Sequence, residues 1–525
     1  MVPWLIGGAV FFLVASTAPH YGLTWDEPGY FHASDLHIQW LADFGKNLLK
    51  GQPARSLQDD VIKAAWHWDP YHVPHPPFSR IFSGLTKEFL SPFMDKFTAY
   101  RLAPALFFAL LVTVMYLWVT DLFNRAAGLF SALTLILIPN LFGFAHFAVT
   151  DMPLATMWFL TVYCFWRGLK NWKWSLILGV LWGLALSTKF PALLIPIPLL
   201  LWAHLYHRQS YQNNVISMIF ISPLVMIACQ PYLWKQPFVG ILTFLYEGVS
   251  RGYRPETNFT IFFYNQLLFS NELPRYYPFF ITAVTTPETI LFLCLAGIVS
   301  IFFLKAQRDA IMLFLVSAIF IPAMSLLPGA VLHDGMRQLL SALPFLAALA
   351  GCGFLFLTES LTRWSQSIAA LQRISHLRVK LAALVFFLAL FPAAVNLWTY
   401  HPYQLSYYNR LVGGLRGAYR HGLEVTYFME AFTPDLLRHL NEKLPSKAVV
   451  NASFANFMFE YYQNEKRLRP DIRITDKKDF DYYILLNRKS AFGEKDWAFL
   501  ATKPYIYDAL HFDGVPLVLV LKTRG

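Results

Sequence analysis

Apolar stretches of about 20 residues recur along most of this chain, and no other feature constrains its fold as strongly. A stretch of that length crosses the hydrocarbon core of a bilayer as a helix. They fall near residues 2–19, 102–120, 126–144, 150–166, 174–187, 190–206, 214–230, 286–304, 310–327, 338–358 and 380–398, giving roughly eleven predicted spans. The two that meet at Thr188 are short, so that pair is expected to be re-entrant or strongly tilted. Composition points the same way. Of 525 residues, 56% are hydrophobic and only 14% charged, against about 25% charge in an ordinary soluble domain. A long chain so poor in charge cannot cover its surface with polar groups, so lipid must cover it. The first run lacks the Lys or Arg that precedes the apolar core of a signal peptide, and it is expected to stay as a span. Cys164, Cys229, Cys294 and Cys352 each sit inside an apolar run. Their spacing suits neither a zinc site nor a disulfide framework, and small buried residues are expected there.

The formal charge of +11 is not a nucleic-acid footprint, because the Lys and Arg lie in short loops between apolar runs. Arg125 follows the second run, and Arg167, Lys170 and Lys173 follow the fourth. Arg208 follows the sixth, and Lys305 and Arg308 the eighth. Arg363, Arg373, Arg378 and Lys380 follow the tenth. The alternate short loops are nearly bare of positive charge, apart from Lys189 and Arg337. Positive loops face the cytoplasm, so the N-terminus is expected inside and the C-terminal segment outside. The large outside segments are then 21–100, 231–284 and 400–525. The run His37 to Leu49 has helical spacing suited to lying flat on the membrane. Residues 400–525 mix a helical stretch near 434–443 with β-type runs near 447–451, 481–486 and 516–522. The predicted fold is therefore mainly α. A polytopic transmembrane helical bundle spans 1–399, and a small extracytoplasmic α/β domain spans 400–525.

The chemistry-bearing residues converge on the outer face. Trp25-Asp26-Glu27-Pro28 lies just beyond the first span. An adjacent carboxylate pair there serves as a base, a metal ligand or a solvated loop, and the pair alone does not separate these. Asp151, in Val149-Thr150-Asp151-Met152-Pro153, opens the fourth span, where an acid also complements the helix dipole. Lys189 and Arg337 are the two cations on that otherwise bare side. A cation at membrane depth is costly and normally has a partner, and a lipid phosphate is a natural one. His75, in His72-Val73-Pro74-His75-Pro76-Pro77, reads as a phosphate donor, a metal ligand or a structural loop residue. Arg101, after Tyr100, reads as a phosphate ligand or as a side chain snorkelling to the headgroups. Carboxylates and cations on one face suit transfer from a phosphate leaving group. A carboxylate deprotonates the acceptor hydroxyl, and cations stabilise the departing phosphate. A second carboxylate supports an oxocarbenium-like transition state.

The order of these motifs resembles a known family. An Asp-Glu pair after the first span, a Pro-Pro loop, an Arg opening the second span and Thr-Asp-Met-Pro opening the fourth look like the polyprenyl-phosphate-sugar-dependent GT-C glycosyltransferases. Within them the chain resembles the superfamily of protein O-mannosyltransferases and aminoarabinose transferases, glycosyltransferase family 39 in the broad sense. The resemblance covers roughly residues 1–350. The segment His401-Pro402-Tyr403-Gln404-Leu405-Ser406-Tyr407-Tyr408-Asn409, followed by Val412-Gly413-Gly414, also looks like bacterial members. The resemblance implies a GT-C fold and an inverting hexosyl- or pentosyltransferase. That enzyme would move a sugar from a polyprenyl-phosphate donor to a lipid, glycan or protein acceptor at the non-cytoplasmic face. The setting implied is a bacterial inner membrane with its active site toward the periplasm or exterior. By position, Asp26, Glu27 and Asp151 become the catalytic carboxylates, and Lys189, Arg337, Arg101 and His75 become donor-phosphate or loop-positioning residues. No organic cofactor is implied, a divalent metal is admissible, and no nucleic-acid partner is expected. Asp26, on a loop before Pro28, is assigned as the base. Asp151 sits at a helix start, where the dipole makes it a poorer proton acceptor. The rival reading is a transporter or lipid-linked sugar flippase, which would place its ionisable groups along a path through the membrane.

Overall fold

A computed structural model describes residues 1–66, 75–254, 257–368, 371, 374 and 376–522. Part of the Pro-Pro motif, residues 72–74, and Arg373 lie outside the described residues. Every one of the predicted apolar runs is helical. Five helices are long and apolar enough to cross a bilayer: Val2–His20, Lys96–Leu122, Lys305–Met324, Arg337–Gln366 and Leu377–Thr399. A sixth arises if the bent pair Tyr277–Val284 and Glu288–Ser300 counts as one span. The helices Arg125–Ile136, Trp172–Leu186 and Gln212–Ala228 are shorter. At about 1.5 Å per residue they fall short of a hydrocarbon core about 30 Å thick, so the expectation of eleven full spans goes beyond what length and composition alone support.

Burial separates a central pair from the periphery. Within their most apolar stretches, Lys96–Leu122 is 83% buried and Arg337–Gln366 is 89% buried, while Val2–His20 and Leu377–Thr399 are 22% and 17% buried. The outer two display Trp4, Phe12, Phe387, Phe391 and Trp398, as lipid-facing helices should. Backbones in lipid approach closely where side chains are absent. A Cβ on Gly353 would come within 2.0 Å of the Leu293 carbonyl, and one on Gly297 within 2.1 Å of that of Leu349. These glycines let Glu288–Ser300 lie directly on Leu343–Gln366. The predicted span near 286–304 is thus a short helix behind a bend of 118°. Pro287 stands at that bend, lacking an N–H and disfavouring a helical residue before it. Asn409 closes the gap. Its side-chain amide donates to the Ala283 and Thr286 carbonyls at 2.7 Å each, and its backbone N–H donates to Val284 at 2.8 Å.

The amphipathic run begins earlier than expected. One helix covers Glu27–Leu49 and buries Tyr30, Phe31, Ser34, His37 and Trp40 along one face. In the C-terminal segment a five-stranded sheet runs in the order β4-β3-β5-β7-β6. Its strands are β3 Val449–Asn451, β4 Arg473–Ile474, β5 Tyr482–Leu486, β6 Tyr505–Phe512 and β7 Val515–Lys522. A separate hairpin, β1 Thr260–Phe263 with β2 Gln266–Phe269, precedes it in the chain. β3 pairs in parallel with β4 and β5, whereas β7 is antiparallel to both β5 and β6. β5 is buried along its whole length. Helices Pro434–Lys443, Asn456–Asn464 and Glu494–Ala501 accompany the sheet.

This segment sits on one end of the bundle. The Tyr462 hydroxyl accepts from Leu23 N–H at 2.8 Å, and Trp25 N–H donates to Phe428 at 3.1 Å. Ion pairs Lys96–Glu465 and Arg467–Asp95 tie it to the start of Lys96–Leu122. The other end gathers the basic loops. There Arg167 donates to Asp121 at 3.0 Å, and His207 meets Asp309 at 3.0 Å.

Candidate active site

The cluster forms at the end covered by the C-terminal segment, where four backbone elements present charge. Asp26 stands immediately before Glu27–Leu49. Asp151 opens Asp151–Gly168. Lys189 follows the end of Trp172–Leu186, and Arg337 begins the helical stretch that leads into Leu343–Gln366. Before Arg337 the chain turns through two left-handed residues, Asp334 at φ 56° and Gly335 at φ 59°. A Cβ on Gly335 would meet the Tyr427 ring at 2.9 Å, so only glycine fits the turn that aims Arg337 inward.

Arg337 is the hub. Its Nη2 donates to Asp26, its Nε to Asp151 Oδ2 at 3.2 Å, and its Nη1 to Asp334 Oδ2 at 3.0 Å. Its guanidinium plane stands 4.2 Å from the Phe428 ring centre, a cation–π contact. Lys189 Nζ donates to Asp151 Oδ1 at 2.7 Å and to Gln338 Oε1 at 3.2 Å. Asp151 is therefore held by both cations, with a side chain only 1% exposed, while that of Asp26 is 25% exposed. The expected four residues, Asp26, Asp151, Lys189 and Arg337, come together. The contrast of a loop Asp26 with a helix-start Asp151 does not hold, because both stand at helix N-termini. Exposure and partner number distinguish them instead.

Three other expected residues have different surroundings. Glu27 is fully buried and accepts four hydrogen bonds: from Arg101 Nε and Nη2 at 2.7 Å each, from Thr24 N–H at 2.9 Å and from Ala148 N–H at 3.0 Å. Arg101 also donates through Nη1 to Ala18 at 3.2 Å and Tyr21 at 3.0 Å, and through Nη2 to Gly22 at 2.7 Å. A guanidinium carries five N–H donors, and all five are engaged. Arg101 thus has none left for a phosphate, and Glu27 has no oxygen open to a substrate. The pair is a lock on the 18–27 loop, which gives Arg101 the loop-positioning one of its two expected roles. His75 is half-buried near the cations. Burial first, then Arg251, Arg80, Lys189 and Arg337, holds its imidazole well below the usual range, so it contributes no positive charge at neutral pH. Its carbonyl accepts from Arg80.

The cluster also holds groups that sequence reasoning left unassigned. Asp334 takes a second cation, Arg488 Nη2, at 2.7 Å. Burial raises the Asp334 pKa, but Arg488, His333 and Arg337 outweigh it and bring it to about 2. His333 stacks on Phe259 with ring centres 4.6 Å apart and lies 3.3 Å from the Gln338 amide. Asp334 stands three positions before Arg337 in one tight turn, so its proximity was a readable signal. Arg488 had none, being remote in sequence. Among the described residues, no three His, Cys, Asp or Glu side chains gather closely enough to hold a metal ion. Asp26 and Asp151 are bridged by a guanidinium, so these donors do not fit a divalent metal.

Residues 75–234 match the family model described as dolichyl-phosphate-mannose-protein mannosyltransferase. That stretch includes His75, Arg101, Asp151 and Lys189. Among solved structures, the chain is similar to the crystal structure of ArnT from Cupriavidus metallidurans in the apo state. The TM-score is 0.50 at 15% identity, covering 98% of this chain and 97% of that one. The chain has the GT-C fold. Another solved structure similar to this chain is ArnT from Cupriavidus metallidurans bound to undecaprenyl phosphate, with a TM-score of 0.46, 15% identity and coverage of 98% and 97%. A further one is the archaeal oligosaccharyltransferase AglB from Archaeoglobus fulgidus, at 0.46 and 12% identity, covering 91% of this chain and 69% of that one. No curated protein sequence matches this chain.

Proposed function

We propose that the chain is an inverting glycosyltransferase. It moves one sugar from a polyprenyl-phosphate carrier to an acceptor hydroxyl at the non-cytoplasmic face of its membrane. The observation that carries this reading is the Arg337 bridge between Asp26 and Asp151, with Lys189 alongside. Two carboxylates and two cations at one bundle end match what displacement from a lipid phosphate requires. The match of residues 75–234 to a family named for a dolichyl-phosphate sugar supports a lipid-linked donor. The loop charges support the outer face.

In this reading the donor phosphate takes over N–H groups of Arg337 and Lys189, which loosens the bond from Arg337 to Asp26. Asp26 accepts the proton of the acceptor hydroxyl. The acceptor oxygen bonds to the anomeric carbon as the carbon–phosphate-oxygen bond breaks, and that electron pair leaves with the lipid phosphate. Lys189 and Arg337 stabilise the charge developing there. Asp151 holds both cations in place. A single displacement inverts the anomeric centre. Glu27 and Arg101 hold the loop that presents Asp26. The cluster of Asp26, Asp151, Asp334, Lys189 and Arg337 lies at one end of the bundle, an arrangement that favours transfer over transport along a path through the membrane.

The test is transfer itself. Purified full-length protein is incubated with polyprenyl-phosphate sugars labelled in the sugar, hexose and pentose, and acceptor fractions of lipid, glycan and protein. Appearance of label in one fraction, with the opposite anomeric configuration, is expected. Movement of intact donor across vesicles without transfer would overturn the reading.

A further inference from the structure

The C-terminal sheet touches the charge cluster at Asp334, through Arg488 in the turn that follows β5. That turn is held rigidly. Glu424, itself buried, accepts from Lys489 N–H at 2.8 Å and Ser490 N–H at 2.9 Å. Asn487 donates its side-chain amide to the Pro516 carbonyl at 2.6 Å and its backbone N–H to Leu517 at 2.8 Å. Arg488 is thus presented from a fixed platform, with its side chain 14% exposed and that of Asp334 only 5% exposed.

We infer that Arg488 is a positioning residue for donor binding, acting through Asp334 on the Arg337 guanidinium. This rests on the reading of Arg337 as a ligand of the donor phosphate. Asp334 spends one oxygen on Arg337 and the other on Arg488. With Arg488 removed, both oxygens of Asp334 turn to Arg337, and a carboxylate–guanidinium pair is most favourable when it forks in this way. The fork draws Arg337 away from Asp26 and Asp151 and makes Asp334 a competitor of the incoming phosphate. The charge balance moves the same way. Asp26, Asp151 and Asp334 are offset by Lys189, Arg337 and Arg488. Without Arg488 this set loses one positive charge in a buried place, which disfavours an anionic ligand. Arg488 therefore keeps the phosphate subsite available, without touching the phosphate.

The experiment measures binding of undecaprenyl phosphate to the full-length protein in detergent, so it needs no turnover. Arg488→Gln should weaken binding roughly 10- to 100-fold, the worth of one charged hydrogen bond. Arg488→Lys should recover part of the loss, returning the charge without the fork. The decisive arm is the Asp334→Asn background. There Arg488→Gln should change affinity by less than about twofold, because the route through the carboxylate is gone. In a transfer assay the same variant should raise the donor KM and leave kcat nearly unaltered, whereas a simply less folded protein would lose kcat. If Arg488→Gln does not fold, Arg488→Lys in the two backgrounds makes the same comparison with a smaller effect. Unchanged affinity in Arg488→Gln, or an equal loss in the Asp334→Asn background, overturns the inference alone. Absence of binding by the wild-type chain overturns the donor reading and this inference with it.

Discussion

Asp26 and Glu27 are adjacent, both carboxylates and both partnered by an arginine, yet their surroundings are opposite. Glu27 is enclosed, with a donor on every side and an arginine whose N–H groups are all taken. Asp26 keeps a quarter of its side chain exposed and shares an arginine with Asp151 and Asp334. Saturation is what differs. A saturated pair resists change, because losing one member strands the other without water. An unsaturated cluster has room for a substrate to replace one of its contacts. Buried charge at a membrane surface therefore signals chemistry only where hydrogen-bonding capacity remains.

This contrast is open to direct attack. Asp26→Asn removes the basic oxygen and keeps the shape, so turnover should fall by about 10²–10⁴-fold with the melting temperature held. A rate near wild type would mean the exposed carboxylate is not the base. Glu27→Gln should do the reverse. Stability should drop by about 3–5 kcal/mol, as when one member of a buried ion pair is lost. Urea or thermal unfolding in detergent would show it, and protein that stays folded should keep much of its activity. A stable but inactive Glu27→Gln would erase the distinction. Lys189→Ala should weaken undecaprenyl phosphate binding roughly 10- to 100-fold, with less effect on kcat than Asp26→Asn.

The smallest effect concerns His333. Burial first, then Arg337, Lys189 and Arg251, pushes its imidazole down to about 3, against the pull of Asp334. The folded-state value lies below the unfolded one of about 6.5. Its contribution to stability is therefore complete above that pH and is lost as pH falls from about 6.5 toward 3. Asp334, depressed to about 2, adds a loss of the same sign, but only below about 4. The melting temperature should decline through this window, with His75 adding a loss of the same sign, and His333→Gln should make the part above pH 4 shallower. An identical decline in the variant would place the sensitivity elsewhere.

Much of this architecture is readable from residues alone. Apolar runs become helices because length and composition act locally. The strands Val449–Asn451, Tyr482–Leu486 and Val515–Lys522 and the helix Pro434–Lys443 fall where their patterns put them. β6 escapes notice because Asp508 and His511 interrupt its apolar pattern, and β4 because it is two residues long. In the site, Asp151, Lys189 and Arg337 stand out as charges in apolar surroundings. Sequence identifies the kind of charge, however, and not how many donors reach it, so the saturation of Arg101 and Glu27 was not legible. Arg488 joins Asp334 across 154 positions, and no local pattern announces such a contact.

Asn409 carries a last consequence, for how this protein can be divided. Composition suggests a seam at residue 399, where the last apolar run ends. Yet the amide that satisfies the carbonyls freed at the Pro287 bend comes from beyond that seam. The bundle is thus completed by a splint supplied from its C-terminal side. A gene truncated at 399 should yield an unfinished membrane half, prone to aggregation during expression, and not a separable module. Chimaeras between relatives should be joined after residue 414, so that the bend and its splint are inherited together.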